Sequence, residues 1–178
     1  MPLRPIHLLG SSILRKRSDE VKTINDNVRT LVQDLFDTMY AAEGIGLAAN
    51  QVGVARRVAV VDAEDDPRLV LINPVVLERE GTTREEEGCL SIPDIFGDVN
   101  RAEQIVLETT NLDGKRERFE LKELTARAVQ HEIDHLDGVL FLDHLSPLKR
   151  QMLLKKWKKL RKGETGYLKE VSPASTAG

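Results

Sequence analysis

The sequence predicts an α+β protein in which helices bracket a β-rich middle. Apolar residues recur at helical spacing over residues 28–40 and again from residue 124, and five short apolar or alternating runs lie between these segments. The chain has 178 residues, of which 40% are hydrophobic, so it can bury a core as one domain.

The first helix is predicted over residues 28–40, where apolar positions follow i, i+3, i+4, i+7 spacing with Asn25 or Asp26 as the N-cap. Asp113-Gly114 is the favoured central pair of a tight hairpin and separates the last two predicted strands. The five predicted strands cover residues 57–61, 69–72, 75–80, 105–110 and 116–121.

Residues 44–51 read Gly-Ile-Gly-Leu-Ala-Ala-Asn-Gln and follow directly on the first helix. Glycines at alternate positions disfavour a helix, so we expect the chain to turn here and to pass close to a neighbour. A flexible helix-to-strand loop and the wall of a substrate groove both fit this composition. In a groove wall, the Gln51 amide could donate to a developing oxyanion.

Residues 131–135 carry the pattern His-Glu-x-x-His within the next predicted helix. Histidines four apart lie on one helical face, so His131 and His135 can converge on one metal ion. Glu132 beside them could take a proton from a water at that metal, which is the arrangement of a hydrolase. Surface histidines on a polar helix are the alternative interpretation.

The helix that carries this pattern is predicted over residues 124–137, which contain no proline or glycine. Gly138 follows as a C-terminal stop. Leu124, Ala128 and Val129 place apolar groups beside the pattern, so we expect this face to be buried and shielded from water.

A catalytic metal held by two histidines needs a third protein ligand from elsewhere in the chain. Cys89 is one candidate, because Gly88 before it gives the backbone freedom to bring a thiolate close to the helix. A lone cysteine can also be a plain buried apolar residue. The other candidates are Asp134, which lies on a different face of the helix, Asp143 and His144.

The sequence argues against a disulfide-stabilised, membrane-spanning or secreted protein. The single Cys89 cannot form an internal disulfide, and no apolar run has transmembrane length. The first residues show no signal-peptide pattern. We therefore expect a cytoplasmic protein without a membrane partner.

Charge is unevenly distributed along the chain. Residues 149–162 hold eight basic and no acidic residues, which gives +8 in this segment and −11 in the rest. A basic amphipathic helix is predicted here, and both a solvated surface helix and a docking surface for nucleic acid fit it. Its apolar residues near helical spacing are Leu145, Leu148, Met152, Leu153, Trp157 and Leu160.

Residues 44–51, 87–91 (Glu-Gly-Cys-Leu-Ser) and 130–135 (Gln-His-Glu-Ile-Asp-His) together resemble the three signature motifs of peptide deformylase, in the same order and with similar separations. The resemblance runs from about Ile6 to the basic helix. It implies antiparallel sheets wrapped around the motif helix, with the basic helix outside. Residues 1–163 would form the catalytic domain and 164–178 a flexible tail. Phe96 and the loop around it, residues 94–98, are less typical of the family.

The resemblance also implies a metal site. Cys89, His131 and His135 would hold one divalent metal, and water would take the fourth position. Ferrous iron is the usual physiological metal of the family, and zinc, nickel or cobalt can occupy such a site.

The activity that the resemblance implies is removal of the formyl group from the N-terminal formyl-methionine of nascent chains. Water at the open position would attack the formyl carbon, and the Gln51 side chain and the Leu90 N–H would meet the oxyanion. Glu132 would pass the proton to the leaving amine. The expected substrate-binding residues are Ile45, Gly46, Leu47, Leu124 and Ala128.

The resemblance also implies the ribosome as a partner, and two other functions remain as alternatives. In related bacterial deformylases a C-terminal helix docks on the ribosome near the exit tunnel, and residues 149–162 resemble that helix. A zinc peptidase would share the histidine motif, although such enzymes usually add a carboxylate or a third histidine. A structural metal domain closed by Asp143 or His144 would need neither Glu132 nor Gln51.

Overall fold

The computed structural model describes residues 3–63 and 66–173, and these residues form three α-helices and ten strands. The helices are α1 (Asp26–Ala41), α2 (Glu123–Leu136) and α3 (Pro147–Leu160). The strands are β1 (Ile6–His7), β2 (Gly46–Ala48), β3 (Val58–Val61), β4 (Leu69–Ile72), β5 (Val75–Glu80), β6 (Thr83–Cys89), β7 (Ile92–Arg101), β8 (Gln104–Thr110), β9 (Arg116–Lys122) and β10 (Leu168–Lys169).

Antiparallel pairing joins these strands into small sheets. The sheet orders are β2-β3-β4 and β5-β8-β9, with β6-β7 and β1-β10 as two-stranded pairs. Helix α2 packs against β2, β3, β8 and β9, which places it centrally between sheets. The predicted α+β fold is confirmed, and so are the five strands expected in the middle of the chain.

Helix α1 begins where its sequence predicts. The Asn25 side chain accepts a hydrogen bond from the Val28 N–H at 3.1 Å and so satisfies one free donor of the first turn. The apolar stripe of the helix then packs on β2 and β3, and Leu35 and Met39 are fully buried there. This core fixes β2 along the side of α2.

Helix α2 is the buried centre of the fold. Ala126, Val129 and Leu136 are fully enclosed, and the chain leaves the helix at Gly138 in the left-handed region at φ +76°, as glycine permits. Leu124 was expected on the buried face and is instead 47% exposed, because it lies in the first turn at the mouth of a groove.

Two expectations are corrected. Of the two alternatives for residues 44–51, the flexible loop is wrong for residues 46–51, which form strand β2 and the start of a short 3₁₀ helix. The loop expected at residues 94–98 lies within strand β7, with Ile95 buried and Phe96 exposed. Strands β6 and β7 form a hairpin whose turn holds Leu90 and Ser91, directly after Cys89.

Helix α3 is only partly amphipathic. Leu153 and Trp157 are buried, whereas Leu148, Met152 and Leu160 are at least half exposed. After α3 the chain returns to pair β10 with β1, within the segment expected to be a flexible tail. The division at residue 163 stays a prediction, and residues 174–178 of that tail lie outside the described residues. None of the described helices is long and apolar enough to cross a bilayer.

Candidate metal centre

Three soft or borderline donors converge between α2 and the β6–β7 turn. Helix α2 presents His131 and His135 one turn apart, with their Nε2 atoms separated by 3.2 Å. Cys89 ends β6 and places its Sγ 3.3 Å from the Nε2 of His135. All three ligand atoms lie within 4.8 Å of one another.

These distances fit a tetrahedral metal. Metal–nitrogen bonds of ~2.1 Å and a metal–sulfur bond of ~2.3 Å at tetrahedral angles separate the donor atoms by roughly 3.4–3.6 Å. The observed separations of 3.2 and 3.3 Å are close to these values. A thiolate with two imidazoles suits zinc, iron, nickel or cobalt, and it leaves a fourth position for chemistry.

A buried ion network orients His131. Its Nδ1 lies 2.9 Å from Oε1 of Glu87, which fixes Nε2 toward the other donors. Arg101 donates to both carboxylate oxygens of Glu87 at 2.8 and 2.9 Å, and Arg127 donates at 2.6 Å. Burial alone would raise the pKa of Glu87, but the hydrogen bonds from Arg101 and His131 outweigh it and hold that pKa far below its usual range.

The other candidate ligands are engaged elsewhere. Asp134 accepts from Arg101 Nη1 at 2.5 Å and lies 2.8 Å from Nε2 of His144. Asp143 pairs with Arg15 at 2.6 Å. Among the described residues, the cluster able to hold a metal is therefore Cys89, His131 and His135.

The electrostatics of the donors favour a bound cation. Burial would lower the pKa of His131, but hydrogen bonds with Cys89 and Glu87 raise it well above the usual value. Burial and the charge of His131 lower the pKa of His135. The anionic neighbours that favour a proton on His131 would equally favour a metal ion there.

Glu132 lies beside the donors and is nearly enclosed. Its Oε1 is buried without a hydrogen-bond partner among the described residues, and burial raises the pKa of Glu132 to about 7. Strand β2 passes so close that a Cβ added to Gly46 would lie 2.9 Å from the Glu132 carboxyl carbon. The close approach expected of residues 44–51 is thus confirmed.

Gln51 faces the donors in a fixed orientation. Its Oε1 accepts from the Ala48 N–H at 2.9 Å, so the amide nitrogen points the other way. That nitrogen donates to Oγ of Ser91 at 3.0 Å and lies 3.7 Å from Sγ of Cys89. Asn50 next to it donates to the carbonyl of His135 at 2.6 Å and so links the 3₁₀ helix to α2.

A groove of about 840 Å³ opens over this centre. It is lined by Gln51, Cys89, Leu90, His131 and Glu132, and also by Ile45, Gly46, Leu124 and Ala128. The Leu47 side chain is instead fully buried in the core, so a substrate contact of Leu47 would have to come from its backbone.

Sequence reasoning missed several contributors to the centre. Glu87 is the first residue of the motif at residues 87–91, but no pattern in the local sequence indicates that Arg101 in β7 and Arg127 in α2 both contact it. Ser91 lies in the same motif and has no role predicted from the sequence, although its Oγ accepts the hydrogen bond from Gln51. Residues 169–173 line the groove and had no sequence signal.

Comparison with known proteins agrees with this geometry. Residues 3–151 match the family model described as polypeptide deformylase. The peptide deformylase of Acidobacterium capsulatum is 45% identical over 166 residues, which cover 91% of this chain and 98% of that protein. The crystal structure of a peptide deformylase from Legionella pneumophila superposes with a TM-score of 0.84 at 40% identity, covering 92% of this chain and all of the other. A second one, from Synechococcus elongatus in complex with actinonin, gives a TM-score of 0.82 at 40% identity over 87% of each chain.

An open three-ligand centre beside a buried carboxylate, set in a groove on an α+β scaffold, defines a metal-dependent hydrolase. The comparisons then specify which one. The chain belongs to the polypeptide deformylase family, whose members remove the formyl group from the N-terminal formyl-methionine of nascent polypeptides and release formate.

Proposed function

We propose that this chain deformylates formyl-methionyl peptides at a centre in which Cys89, His131 and His135 hold one divalent metal. The observation that carries this assignment is the convergence of the three donor atoms within 4.8 Å, with Glu132 and Gln51 beside them. When bound, the metal activates a water molecule for attack on the formyl carbon. Fe²⁺ is proposed as the physiological metal, and Zn²⁺, Ni²⁺ or Co²⁺ would fit the same donors.

Glu132 carries the proton in this proposal. A carboxyl whose pKa is near 7 can accept a proton from water and release it again at neutral pH. The proton then passes to the amine of methionine, which becomes a free amino terminus when formate is released. The free Oε1 of Glu132 is the atom available for this transfer.

Gln51 and Leu90 stabilise the negative charge that develops on the formyl oxygen. The amide of Gln51 is held by Ala48, so its nitrogen already points toward the metal donors, where it would donate to the oxyanion. The Leu90 backbone follows Cys89 in the groove and would supply a second donor. Ile45, Gly46, Leu47, Leu124 and Ala128 would bind methionine and the extended peptide behind it.

The basic charge of helix α3 supports binding of the protein to the ribosome. Its lysines are exposed and carry most of the +8 charge of residues 149–162, which suits the phosphates of ribosomal RNA near the exit tunnel. We propose co-translational action in the cytoplasm, where nascent formyl-methionyl chains are made.

The test compares formyl-Met-Ala, acetyl-Met-Ala and Met-Ala as substrates of protein purified without oxygen, with metal analysis of the same sample. We expect formate from the formyl peptide, no acetate, and about one metal per chain. Cleavage of the Met-Ala bond would instead indicate a peptidase. A metal-loaded protein inactive on all three peptides would indicate a structural metal domain.

A further inference from the structure

The C-terminal segment after α3 forms part of the same groove as the metal centre. Residues 169–173 line the cavity of about 840 Å³ that also contains Cys89 and Glu132. This volume lies in the upper part of the range of ~300–1,000 Å³ that holds drug-sized ligands, so it can take more than one methionine. The groove therefore has space for residues that follow formyl-methionine.

This segment is fixed on the body of the protein at several points. The Leu8 N–H donates to the Tyr167 carbonyl at 2.7 Å, and Ile6 pairs with Lys169 in the β1–β10 ladder. The Tyr167 ring covers Gly10, where an added Cβ would lie within 2.7 Å of the ring. Val171 packs against the core beside α1.

The anchors leave two charged residues exposed at the groove. Lys169 and Glu170 lie between the Tyr167 and Val171 contacts, and both line the cavity while remaining accessible to solvent. A chain that enters the centre through its amino terminus must leave the groove along its wall at ~3.3 Å per extended residue. Charged side chains in such a wall select among the residues that pass.

We infer that Lys169 and Glu170 form a binding subsite for the peptide residues downstream of formyl-methionine and influence which nascent chains are processed fastest. This inference rests on the proposed function and extends it from the reacting end of the substrate to the following residues. It assigns specificity to a segment outside the three deformylase motifs.

Charge reversal in the full-length protein tests the subsite. The substrates are formyl-Met-Ala-Ala-Ala-Ala peptides with Lys or Glu at the third, fourth or fifth position, and the readout is the ratio of kcat/KM for Lys over Glu. Glu170→Lys should lower this ratio by about two- to five-fold at one of these positions, the scale of one exposed charge pair. Lys169→Glu should raise it, and both shifts should shrink in 1 M salt.

Glu164→Lys is the matched control, because Glu164 is exposed in the same segment but does not line the groove. This control should leave the ratio unchanged at every position. Unchanged ratios in Glu170→Lys and Lys169→Glu would overturn the inference, as would an equal shift in Glu164→Lys. Failure of the intact chain to release formate from formyl-Met-Ala would instead refute the proposed function.

Discussion

Glu132 is a carboxylate that the fold has little structural reason to bury. It is 4% exposed, its Oε1 has no partner among the described residues, and burial raises its pKa to about 7. A buried carboxyl oxygen without a partner costs stability, and groups of this kind cluster at functional sites. The position of Glu132 next to His131 fits the proposed role in proton transfer.

Substitution of Glu132 can separate the proposed proton transfer from metal binding. Glu132→Gln keeps nearly the same shape and removes the basic oxygen, so turnover of formyl-Met-Ala should fall by roughly two or more orders of magnitude. Metal content and melting temperature should remain near those of the unaltered protein. Formate release at a near-normal rate with full metal occupancy would contradict the assignment.

The second prediction concerns Cys89. Its thiolate gives the centre charge and soft-donor character that a hydroxyl lacks, so Cys89→Ser should weaken metal retention or change which metal is held. Metal content after dialysis against a chelator is the measurement, and Cys89→Ala is the control that removes the donor altogether. If both variants keep stoichiometric metal, the third ligand is a different residue.

At the scale of elements, β2 positions the carboxylate of Glu132 by passing α2 without a side chain. Gly46→Ala would place a methyl group against that carboxylate, and Gly46 is not held at a positive φ that alanine would resist. Displacement of a catalytic group by ~1 Å can reduce rate by roughly 100-fold. We expect kcat to fall by ten-fold or more with metal content unchanged. Wild-type kcat at full metal occupancy would show that β2 does not constrain Glu132.

Strand β6 carries the carboxylate that connects α2 to β7. Glu87→Ala would remove the buried carboxylate that Arg101 and Arg127 share, and breaking buried pairs of this kind costs about 3–5 kcal/mol. It would also release Nδ1 of His131, so metal affinity should fall by roughly 10- to 100-fold. Urea unfolding and a competition titration with a metal indicator measure the two effects.

Glu85→Ala is the control for this network. Glu85 lies on the same strand, 3.7 Å from Arg127, but its side chain is 64% exposed. A surface pair of this kind contributes ~1 kcal/mol or less, so stability and metal affinity should change little. Equal losses in the two variants would mean that Glu87 has no special connection to the centre.

Local pattern explains which elements could be predicted. Helices α1 and α2 have clear apolar periodicity and end signals, and the two candidate metal ligands on α2 are four residues apart. The sequence does not predict the bounds of strand β6, since residues 84–87 are all charged, and its pairing with β7 is visible only in three dimensions. The two-residue pairing of β1 with β10 joins opposite ends of the chain, which no short-range pattern indicates.

The site divides in the same way. Cys89, His131 and His135 were proposed from motifs and the structure brings them together. Arg101 in β7 and Arg127 in α2 both donate hydrogen bonds to Glu87 in β6. These contacts depend on tertiary packing, so sequence spacing does not predict them. For Leu124, the apolar periodicity predicts a place on the buried face of α2, but it does not predict that this residue is exposed at the mouth of the groove.

At the scale of the whole molecule, the proposed ribosome docking and the proposed catalysis lie on different helices, because the basic charge is on α3 and the candidate metal ligands His131 and His135 are on α2. Reversing the exposed lysines of α3 should weaken co-sedimentation with ribosomes and flatten the salt dependence of binding, since fewer counterions are released. Hydrolysis of formyl-Met-Ala should stay nearly unchanged, and an equal loss of both activities would mean that α3 holds the fold together. The four lysines changed to Glu are Lys155, Lys156, Lys158 and Lys159. The matched control makes the same charge change at exposed sites elsewhere and should retain ribosome binding, with Glu replacing Lys16, Arg17, Lys22 and Lys115.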